Sequence, residues 1–263
     1  MPIVYALANQ KGGVGKTTTA VNLGAYLAGR GQRVLLVDID PQANATSSLG
    51  VDKRFVSRST YDVMVNKVAL TTIVQVVDEA GLELAPSSPN LAGATVELVG
   101  MLRREHRLRG AMDTLDRSYN YVLIDCPPTL GVLTVSGLTA ADAVIIPVQC
   151  EYLALEGLSQ LTRAIKLVRR ALNPGLTLRG LVMTMYDART NLSREVVEQV
   201  RQHYGGKVFD AIIPRSVRLS EAPSFGVPIS VHAPNSAGAK AYAALADELL
   251  GTDDHQLASA GTD

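Results

Sequence analysis

The sequence predicts an α/β fold, a single doubly wound domain in which helices cover both faces of a mostly parallel sheet. Short runs rich in valine, isoleucine and leucine recur along the 263 residues. These runs lack polar alternation, which is typical of strands buried on both faces. Segments with helical periodicity lie between them, and strands that alternate with helices form parallel sheets.

Each aliphatic run predicts one strand, giving seven: residues 3–8, 33–39, 82–86, 121–126, 143–149, 178–185 and 208–214. Glycine and proline end the intervening helices, because neither residue favours a continued helix. The helices expected on this basis cover residues 17–30, 155–172 and 194–204. No repeat or flexible linker divides the chain, so one domain is expected over 1–250, followed by a polar, flexible tail over 251–263.

The composition limits the environment and the partners of the chain. Its 25 basic and 25 acidic side chains balance, so any site for a polyanion must be local. Cys126 and Cys150 lie in apolar runs, which favours buried thiols in a reducing compartment over a disulfide. The sequence opens without a secretory signal, and no run approaches the roughly 18 apolar residues of a transmembrane helix. A cytoplasmic protein is expected.

A glycine-rich stretch, QKGGVGKTT at residues 10–18, lies between the first expected strand and the first expected helix. That placement is typical of a P-loop, whose backbone N–H groups bind phosphate at the start of a helix. The usual pattern has glycine where this chain has Gln10, so the tight backbone depends on Gly12, Gly13 and Gly15. The stretch therefore predicts the P-loop NTPase type of fold.

Residue types in the loop predict how ATP and Mg²⁺ bind. Lys16 is expected over the β- and γ-phosphates, and the Thr17 hydroxyl is expected to bind Mg²⁺. The nucleotide-binding residues expected in this loop are Lys11, Gly12, Gly13, Val14, Gly15, Lys16, Thr17 and Thr18.

Acidic residues follow two of the expected strands, in the sequences VDIDP and IDCPP. Open α/β sheets bind ligands at the carboxyl ends of their strands, so these acids are expected beside the phosphates. Asp125 is expected to act as the Walker B acid, and Asp38 to support the metal shell. Asp40 is the candidate for orienting or activating the attacking water. Thr17, Asp40 and Asp125 form the expected metal site.

The second lysine of the loop, Lys11, needs a separate explanation. A solvated surface lysine is the simplest interpretation of the residue alone. The pattern K-G-G-x-G-K-[ST], however, resembles the deviant Walker A ATPases, in which the early lysine reaches the ATP of a partner subunit. This resemblance implies a homodimer with ATP sandwiched between the subunits. It also implies catalytic roles for Lys11, Lys16 and Asp40, because a cation supplied by a partner stabilises transition-state charge.

Longer motifs resemble the ParA/Soj chromosome-partitioning ATPases over nearly the whole chain: NQKGGVGKTT, VDIDPQAN, IDCPPTLGVLT, PVQCEYLALEGL, TMYDARTNLS and IPRSVRLSEAPSFGVPI. The resemblance implies a slow, Mg²⁺-dependent ATPase whose ATP-bound dimer binds double-stranded DNA without sequence preference. It implies a nucleoid-associated protein that a ParB-type centromere-binding protein stimulates. It also implies DNA contacts at Arg189 and Arg218, and an adenine pocket near Pro214 and Arg215.

Residues 160–220 carry eleven basic and four acidic side chains, an excess of seven positive charges in a neutral chain. A basic surface of this size would neutralise several phosphates, so DNA affinity is expected to fall steeply with salt. Some of these residues, such as Arg163 and Lys166, have the spacing of a solvated helix face. The run RREHRLR at 103–109 is also interpreted as a surface helix face, with a nucleic-acid role as the alternative.

Other functions of the deviant Walker A class remain as alternatives. A MinD-like membrane ATPase would need a basic amphipathic C-terminal helix, whereas residues 245–263 carry five acids and no lysine or arginine, so no stable membrane association is expected. A nitrogenase-reductase-like carrier would hold an iron–sulfur cluster on cysteines of both subunits. An adaptor that binds ATP without hydrolysing it belongs to a different class.

Overall fold

A single seven-stranded sheet forms the centre of the computed structural model, which describes residues 2–115, 118–152 and 154–260. The strand order is β3-β4-β2-β5-β1-β6-β7, and every neighbouring pair is parallel except β3 with β4. The strands are β1 Ile3–Leu7, β2 Val34–Asp38, β3 Gln75–Val77, β4 Leu82–Ala85, β5 Tyr121–Asp125, β6 Ala143–Gln149 and β7 Thr177–Thr184.

Helices cover both faces of the sheet. Within the described ranges they are α1 Lys16–Ala28, α2 Asn44–Ser48, α3 Thr60–Asn66, α4 Leu91–Glu97, α5 Arg107–Met112, α6 Val132–Ala140, α7 Ala154–Ala171, α8 Asn191–Tyr204, α9 Val217–Glu221, α10 Ile229–His232 and α11 Ala237–Ala260. None of these described helices is both long and apolar enough to cross a membrane.

Alternate residues of the central strands enter two separate hydrophobic cores. On β1, Val4 and Ala6 pack on the side that carries α3 to α8, whereas Tyr5 and Leu7 pack against α1 and α11. Because both faces of these central strands are buried, their sequences show no polar alternation. The predicted doubly wound α/β fold is thereby confirmed.

The expected strand at residues 208–214 is wrong, and a short edge strand, β3, was not predicted. Only isolated bridges join this segment to β7 and the loop beyond it, at Val208 and Pro214. Between them, the Glu248 side chain of α11 accepts hydrogen bonds from the backbone N–H groups of Asp210 and Ala211, at 2.8 and 3.0 Å. These donors are therefore unavailable to the sheet.

The last helix extends beyond the domain boundary expected at residue 250. The reason is Asp253, whose side chain is 1% exposed. Its carboxylate accepts hydrogen bonds from the Tyr5 hydroxyl of β1, at 2.8 and 2.9 Å, and from Arg179 Nε of β7, at 3.1 Å. Burial and the neighbouring carboxylate raise the pKa of Tyr5, so its hydroxyl remains a donor. The polar sequence of this segment gave no indication of a buried anchor.

We predict that Asp253→Ala lowers the free energy of unfolding by about 3–5 kcal/mol, because it leaves Arg179 as an uncompensated buried charge. Asp247→Ala, on the same helix, is the control: it removes an ion pair to Arg30 in which the aspartate side chain is 63% exposed. That change should cost at most about 1 kcal/mol. Urea denaturation of both variants measures the difference, and equal losses would show that Asp253 is no anchor.

Candidate functional site

The glycine-rich loop after β1 has the backbone of a phosphate-binding turn. Gly13 and Gly15 have φ values of 75° and 87°, in the left-handed region that glycine adopts without strain. Gly15 precedes the first residue of α1, so the loop passes directly into a helix N-terminus. Thr184, at the end of β7, donates a 2.9 Å hydrogen bond to the Val14 carbonyl and fixes the loop from outside. A loop with this backbone geometry at a helix N-terminus is suited to binding an anion.

Lys16 lies inside the loop, as expected for a phosphate ligand. Its side chain is buried, and Nζ donates a 3.2 Å hydrogen bond to the Lys11 carbonyl. Burial lowers the pKa of Lys16, and the carboxylates of Asp125 and Asp40 oppose that shift. The lysine therefore already has the buried position in which it would meet a phosphate.

Asp125 lies beside the loop because β5 pairs with β1. The register places Asp125 next to Leu7, the last residue of β1. Thr17 Oγ1 donates a 2.7 Å hydrogen bond to Asp125 Oδ2, whereas the buried Oδ1 has no hydrogen-bond partner within the described residues. Burial, followed by the charge of Asp38, raises the pKa of Asp125 well above its usual range. This carboxylate is strongly destabilised when it is ionised without a cation.

Asp38 is the register neighbour of Asp125 on the adjacent strand, but its own hydrogen bonds already hold it. Oδ2 accepts from the backbone N–H and the hydroxyl of Thr46, at 2.9 and 2.7 Å, and Oδ1 accepts from the Asp40 N–H at 3.0 Å. Burial raises the pKa of Asp38 to about 6 despite these donors. Asp38 is thus placed to orient the loop of Asp40. Thr46 was missed by the sequence analysis, because a threonine in a short helix gives no distinctive signal.

Asp40 lies in the turn after β2 and is also buried. Its Oδ1 accepts a 2.9 Å hydrogen bond from the Gln42 N–H, and its carbonyl accepts a 2.7 Å bond from the Ser87 hydroxyl. The other carboxylate oxygen makes no hydrogen bond within the described part of the chain. The turn therefore holds Asp40 in place and leaves one oxygen for a ligand or a water molecule.

Lys11 does not join this group. Its Nζ forms an ion pair with Glu151, which follows β6, and both side chains are about half exposed, at 50% and 46%. An exposed ion pair of this kind contributes at most about 1 kcal/mol, so the lysine is readily released. The structure thus separates the two lysines of the loop, one inside and one at the surface. Glu151 was not identified from the sequence, because its role depends on the pairing of β6 with β1.

Pro214 and Arg215 lie beyond the carboxyl end of β7, on the loop side of the sheet. Pro214 forms a bridge with Tyr186, and the Arg215 N–H donates a 2.9 Å hydrogen bond to the Tyr186 carbonyl. The same strand ends at Thr184, which contacts the phosphate loop. The structure therefore brings these residues to the edge where a nucleotide would bind.

The two arginines expected to contact DNA are exposed and only loosely paired. Arg189 forms an ion pair with Asp187, and Arg218 forms one with Glu221. Of the eleven basic residues in 160–220, Arg179 is the exception, because it is buried against Asp253; the other ten are exposed. We call the ten exposed residues, which lie on α7, α8, α9 and the adjoining segments, the basic surface: Arg163, Lys166, Arg169, Arg170, Arg189, Arg194, Arg201, Lys207, Arg215 and Arg218.

The fold and the loop define a P-loop ATPase, and the family model described as an AAA domain matches residues 3–178. The chromosome partitioning protein ParA of Caulobacter vibrioides is 49% identical over 259 residues, which cover 98% of this chain and 97% of the relative. The chromosome-partitioning ATPase Soj of Thermus thermophilus is 53% identical over 245 residues, covering 93% and 94%. The chain therefore belongs to the ParA/Soj family of chromosome-partitioning ATPases. This confirms the resemblance of the motifs.

A solved structure shows the same fold with nucleotide. Cobyrinic acid a,c-diamide synthase of Mycobacterium smegmatis, with bound ADP and magnesium, has a TM-score of 0.84 and 43% identity, covering 95% of this chain and 94% of its own. A second structure of that protein contains an ATP analogue and magnesium. Similar proteins thus bind adenine nucleotide with magnesium on this fold.

We predict that Asp125→Asn raises the melting temperature of the nucleotide-free protein at pH 7 by several degrees and flattens its dependence on pH. An unfolded aspartate ionises near pH 4, but burial raises the pKa of Asp125 in the folded chain. The unfolded chain therefore loses its proton first as the pH rises, and the folded state loses stability from about pH 4 up to the folded pKa. Asparagine removes this loss and keeps an acceptor for Thr17.

The measurement is calorimetric unfolding of both proteins from pH 4 to pH 8, without nucleotide or divalent cation. Asp125→Asn should also weaken stabilisation by ATP with Mg²⁺. A variant less stable than the wild type at pH 7 would show that ionisation of Asp125 costs the folded chain nothing.

Proposed function

We propose that the protein is an ATP-dependent dimeric switch that binds DNA without sequence preference and leaves it after hydrolysis. The observation that supports this most directly is the separation of the two loop lysines. Lys16 is buried beside its own phosphate site, whereas the Lys11 side chain is half exposed and, within the described residues, pairs with Glu151 alone. A lysine in this position is available to the nucleotide of a second subunit, where a cation delivered on dimerisation stabilises phosphoryl charge.

The residues around Asp125 fit a magnesium ion. Mg²⁺ prefers oxygen ligands and usually combines one or two carboxylates with phosphates and water. The orphaned Oδ1 of Asp125, its partner hydroxyl on Thr17 and the nearby Asp40 carboxylate supply that chemistry. Bound there with ATP, the ion would neutralise phosphate charge. We assign Thr17, Asp40 and Asp125 to this site, and Gly12, Gly13, Val14, Gly15, Lys16 and Thr18 to the phosphates.

Asp40 is assigned to the attacking water. Its turn is held by the Gln42 N–H and the Ser87 hydroxyl, so the carboxylate does not need to reorganise when a nucleotide binds. The oxygen that makes no hydrogen bond within the described chain accepts a hydrogen bond from the water and orients it. Asp38 acts as a positioning residue, because its carboxylate binds the Asp40 N–H. Pro214 and Arg215 are assigned to the adenine side of the site.

The basic surface is assigned to duplex DNA. Its ten exposed cations lie in a chain with no net charge, so attraction to a polyanion is concentrated on this part of the molecule. The ion pairs of Arg189 and Arg218 are exposed and weak, so a phosphate displaces the carboxylate at small cost. Two copies in a dimer double the contacts. DNA binding therefore follows dimerisation and, through it, ATP.

Membership of the family supports the remaining parts of the proposal. The partner that stimulates hydrolysis is a ParB-type protein bound at centromere-like sites, and the working location is the cytoplasm on the nucleoid. Burial raises the pKa of Cys126 and of Cys150, so neither thiol has the lowered pKa of a reactive or metal-binding cysteine, which disfavours the iron–sulfur alternative.

We predict that Lys11→Ala keeps nucleotide binding but loses ATP-dependent dimerisation, because only the contact across the interface is removed. Lys16→Ala should lose nucleotide binding itself. Lys240→Ala, an exposed lysine on α11, is the control and should behave as wild type. Sedimentation with ATP and with ADP measures the dimer, and nucleotide binding is measured by calorimetry. An unchanged dimer in Lys11→Ala would remove the lysine from the interface.

Asp40→Ala should give a dimer that remains on DNA and hydrolyses ATP at least about a hundredfold more slowly, since a positioned base contributes roughly 10²–10⁴ in rate. The matched control is Asp247→Ala, which removes an exposed aspartate far along the chain on α11. Phosphate release with saturating DNA measures turnover. Normal turnover in Asp40→Ala would show that another group orients the attacking water.

Arg218→Ala should weaken DNA binding equally on unrelated sequences and reduce the salt slope by about 2 per dimer, one contact for each subunit. The control is Arg54→Ala, another exposed arginine that is paired with a nearby acid, Asp52, but lies outside the basic surface. Binding to a non-specific duplex is measured with ATP, with ADP and without nucleotide, at several salt concentrations. Equal effects of the two substitutions on DNA binding would show that Arg218 does not contact the DNA.

A further inference from the structure

A second cationic feature lies away from both the phosphate loop and the basic surface. It is a cavity of about 790 Å³ between the end of α3 and the start of α5. Among the described lining residues, Asp113 is the one acid, and five are basic: Lys67, Arg103, His106, Arg107 and Arg109. We call this the basic cavity. Four of these five residues belong to the run RREHRLR, which the proposed function does not use.

The basic cavity lies at the amino-terminal edge of the sheet, opposite the phosphate loop. Arg109 Nη1 donates a 3.3 Å hydrogen bond to the Thr139 carbonyl near the end of α6. His106 and Arg109 also border a smaller depression formed with Asp142 and Asn173, which precede β6 and β7. Parallel strands begin at this edge and end at the phosphate loop. A ligand here would therefore be separate from the ATP of the same subunit.

The cations of the basic cavity fall into two groups. Arg107 Nη1 donates hydrogen bonds to the carbonyls of Met64 and Val65, each at 3.1 Å. These bonds fix the arginine against the end of α3. Lys67, Arg103 and His106 make no hydrogen bond or ion pair through their side chains within the described residues. Lys67 and Arg103 are therefore two cations without a carboxylate partner in the described chain, which favours an anion in the cavity, and the His106 ring adds a polar group beside them.

The backbone at the rim supports a constrained site. Lys67 and Arg103 have φ values of 57° and 55°, in the left-handed region that non-glycine residues seldom adopt. Each such residue costs of order 1 kcal/mol or more, and residues of this kind cluster where function fixes the backbone. Glycine would adopt this backbone conformation at a lower cost, but it has no side chain. Both positions instead carry a long cationic side chain that lines the cavity.

The shape and lining of the cavity indicate the class of ligand. A volume of about 790 Å³ lies within the roughly 300–1,000 Å³ typical of small-molecule sites, whereas duplex DNA is read by open surfaces. Apolar side chains of Val63, Val68 and Ala111 line the same cavity, beside the cations. We propose that the basic cavity binds a small phosphorylated molecule that carries at least two negative charges and an apolar or aromatic body.

The test uses 1-naphthyl phosphate as the probe, titrated calorimetrically into the full-length, nucleotide-free protein without magnesium. Inorganic phosphate and 1-naphthol separate the contributions of charge and of the apolar ring. The proposal predicts saturable binding of one probe per chain, at least about tenfold tighter than either fragment, because phosphate and ring contact different walls. Absence of saturable binding, or equal affinity for phosphate alone, overturns it.

Four variants locate the probe. Lys67→Asn and Arg103→Asn remove single cations, and asparagine tolerates the left-handed backbone, so both should fold. Each should weaken binding at least fivefold. Arg163→Asn, which removes an exposed cation of the basic surface, and Lys16→Ala, which disables the phosphate loop, should change it less than twofold. Thermal unfolding checks that the four variants are folded.

Two outcomes reassign the binding and overturn the proposal. Loss of probe binding in Lys16→Ala would show that the probe occupies the phosphate loop. Displacement of the probe by duplex DNA, together with weaker DNA binding of Arg103→Asn, would make the cavity part of the DNA interface.

Discussion

Buried negative charge at the carboxyl ends of β2 and β5 is the constraint on which the rest of the site depends. Asp38 and Asp125 are register neighbours with no exposed surface, and Asp40 is buried in the adjoining turn. Lys16 is the one buried cation named beside them, and its own pKa is lowered by burial. Burial raises the pKa of Asp38 and of Asp125, so full ionisation of the three carboxyl groups beside a single lysine is unfavourable before any phosphate arrives. A nucleotide therefore requires additional positive charge, which metal and a second lysine supply in the proposed mechanism.

The sheet topology explains how residues far apart in sequence meet. Parallel pairing of β2, β5, β1 and β6 brings four strand ends to one edge, where the phosphate loop, the aspartates and Glu151 follow them. Two hydrophobic cores hold the strands in place. Asp253 fixes α11 against β1 and β7. The chemistry thus lies on a rigid scaffold, while the groups proposed to reach a partner or DNA are exposed and weakly paired.

Motifs predicted the glycine-rich loop, the position of Asp125 beside it and the family, because their spacing in sequence is short and their backbone requirements are specific. The structure gives physical reasons for what the sequence analysis missed. Residues 208–214 have the composition of a strand, but the Glu248 carboxylate takes their N–H groups. Residues 251–253 have the composition of a solvated tail, but the Asp253 carboxylate forms an ion pair with the buried Arg179. Thr46, Ser87 and Glu151 became visible only when pairing of distant segments placed them beside Asp38, Asp40 and Lys11.

The central claim is that the two lysines of one loop act on different nucleotides, and mixing two inactive variants tests it most directly. Lys11→Ala keeps its own Lys16, and Lys16→Ala keeps the Lys11 that would complete its partner's site. Equal amounts of both, with ATP, Mg²⁺ and duplex DNA, should recover up to about half of wild-type turnover, because neither variant forms an ATP-bound dimer alone and each mixed dimer contains one complete site of two. Turnover no greater than that of the separate variants would contradict the account, since lysines that act within one subunit cannot complement each other.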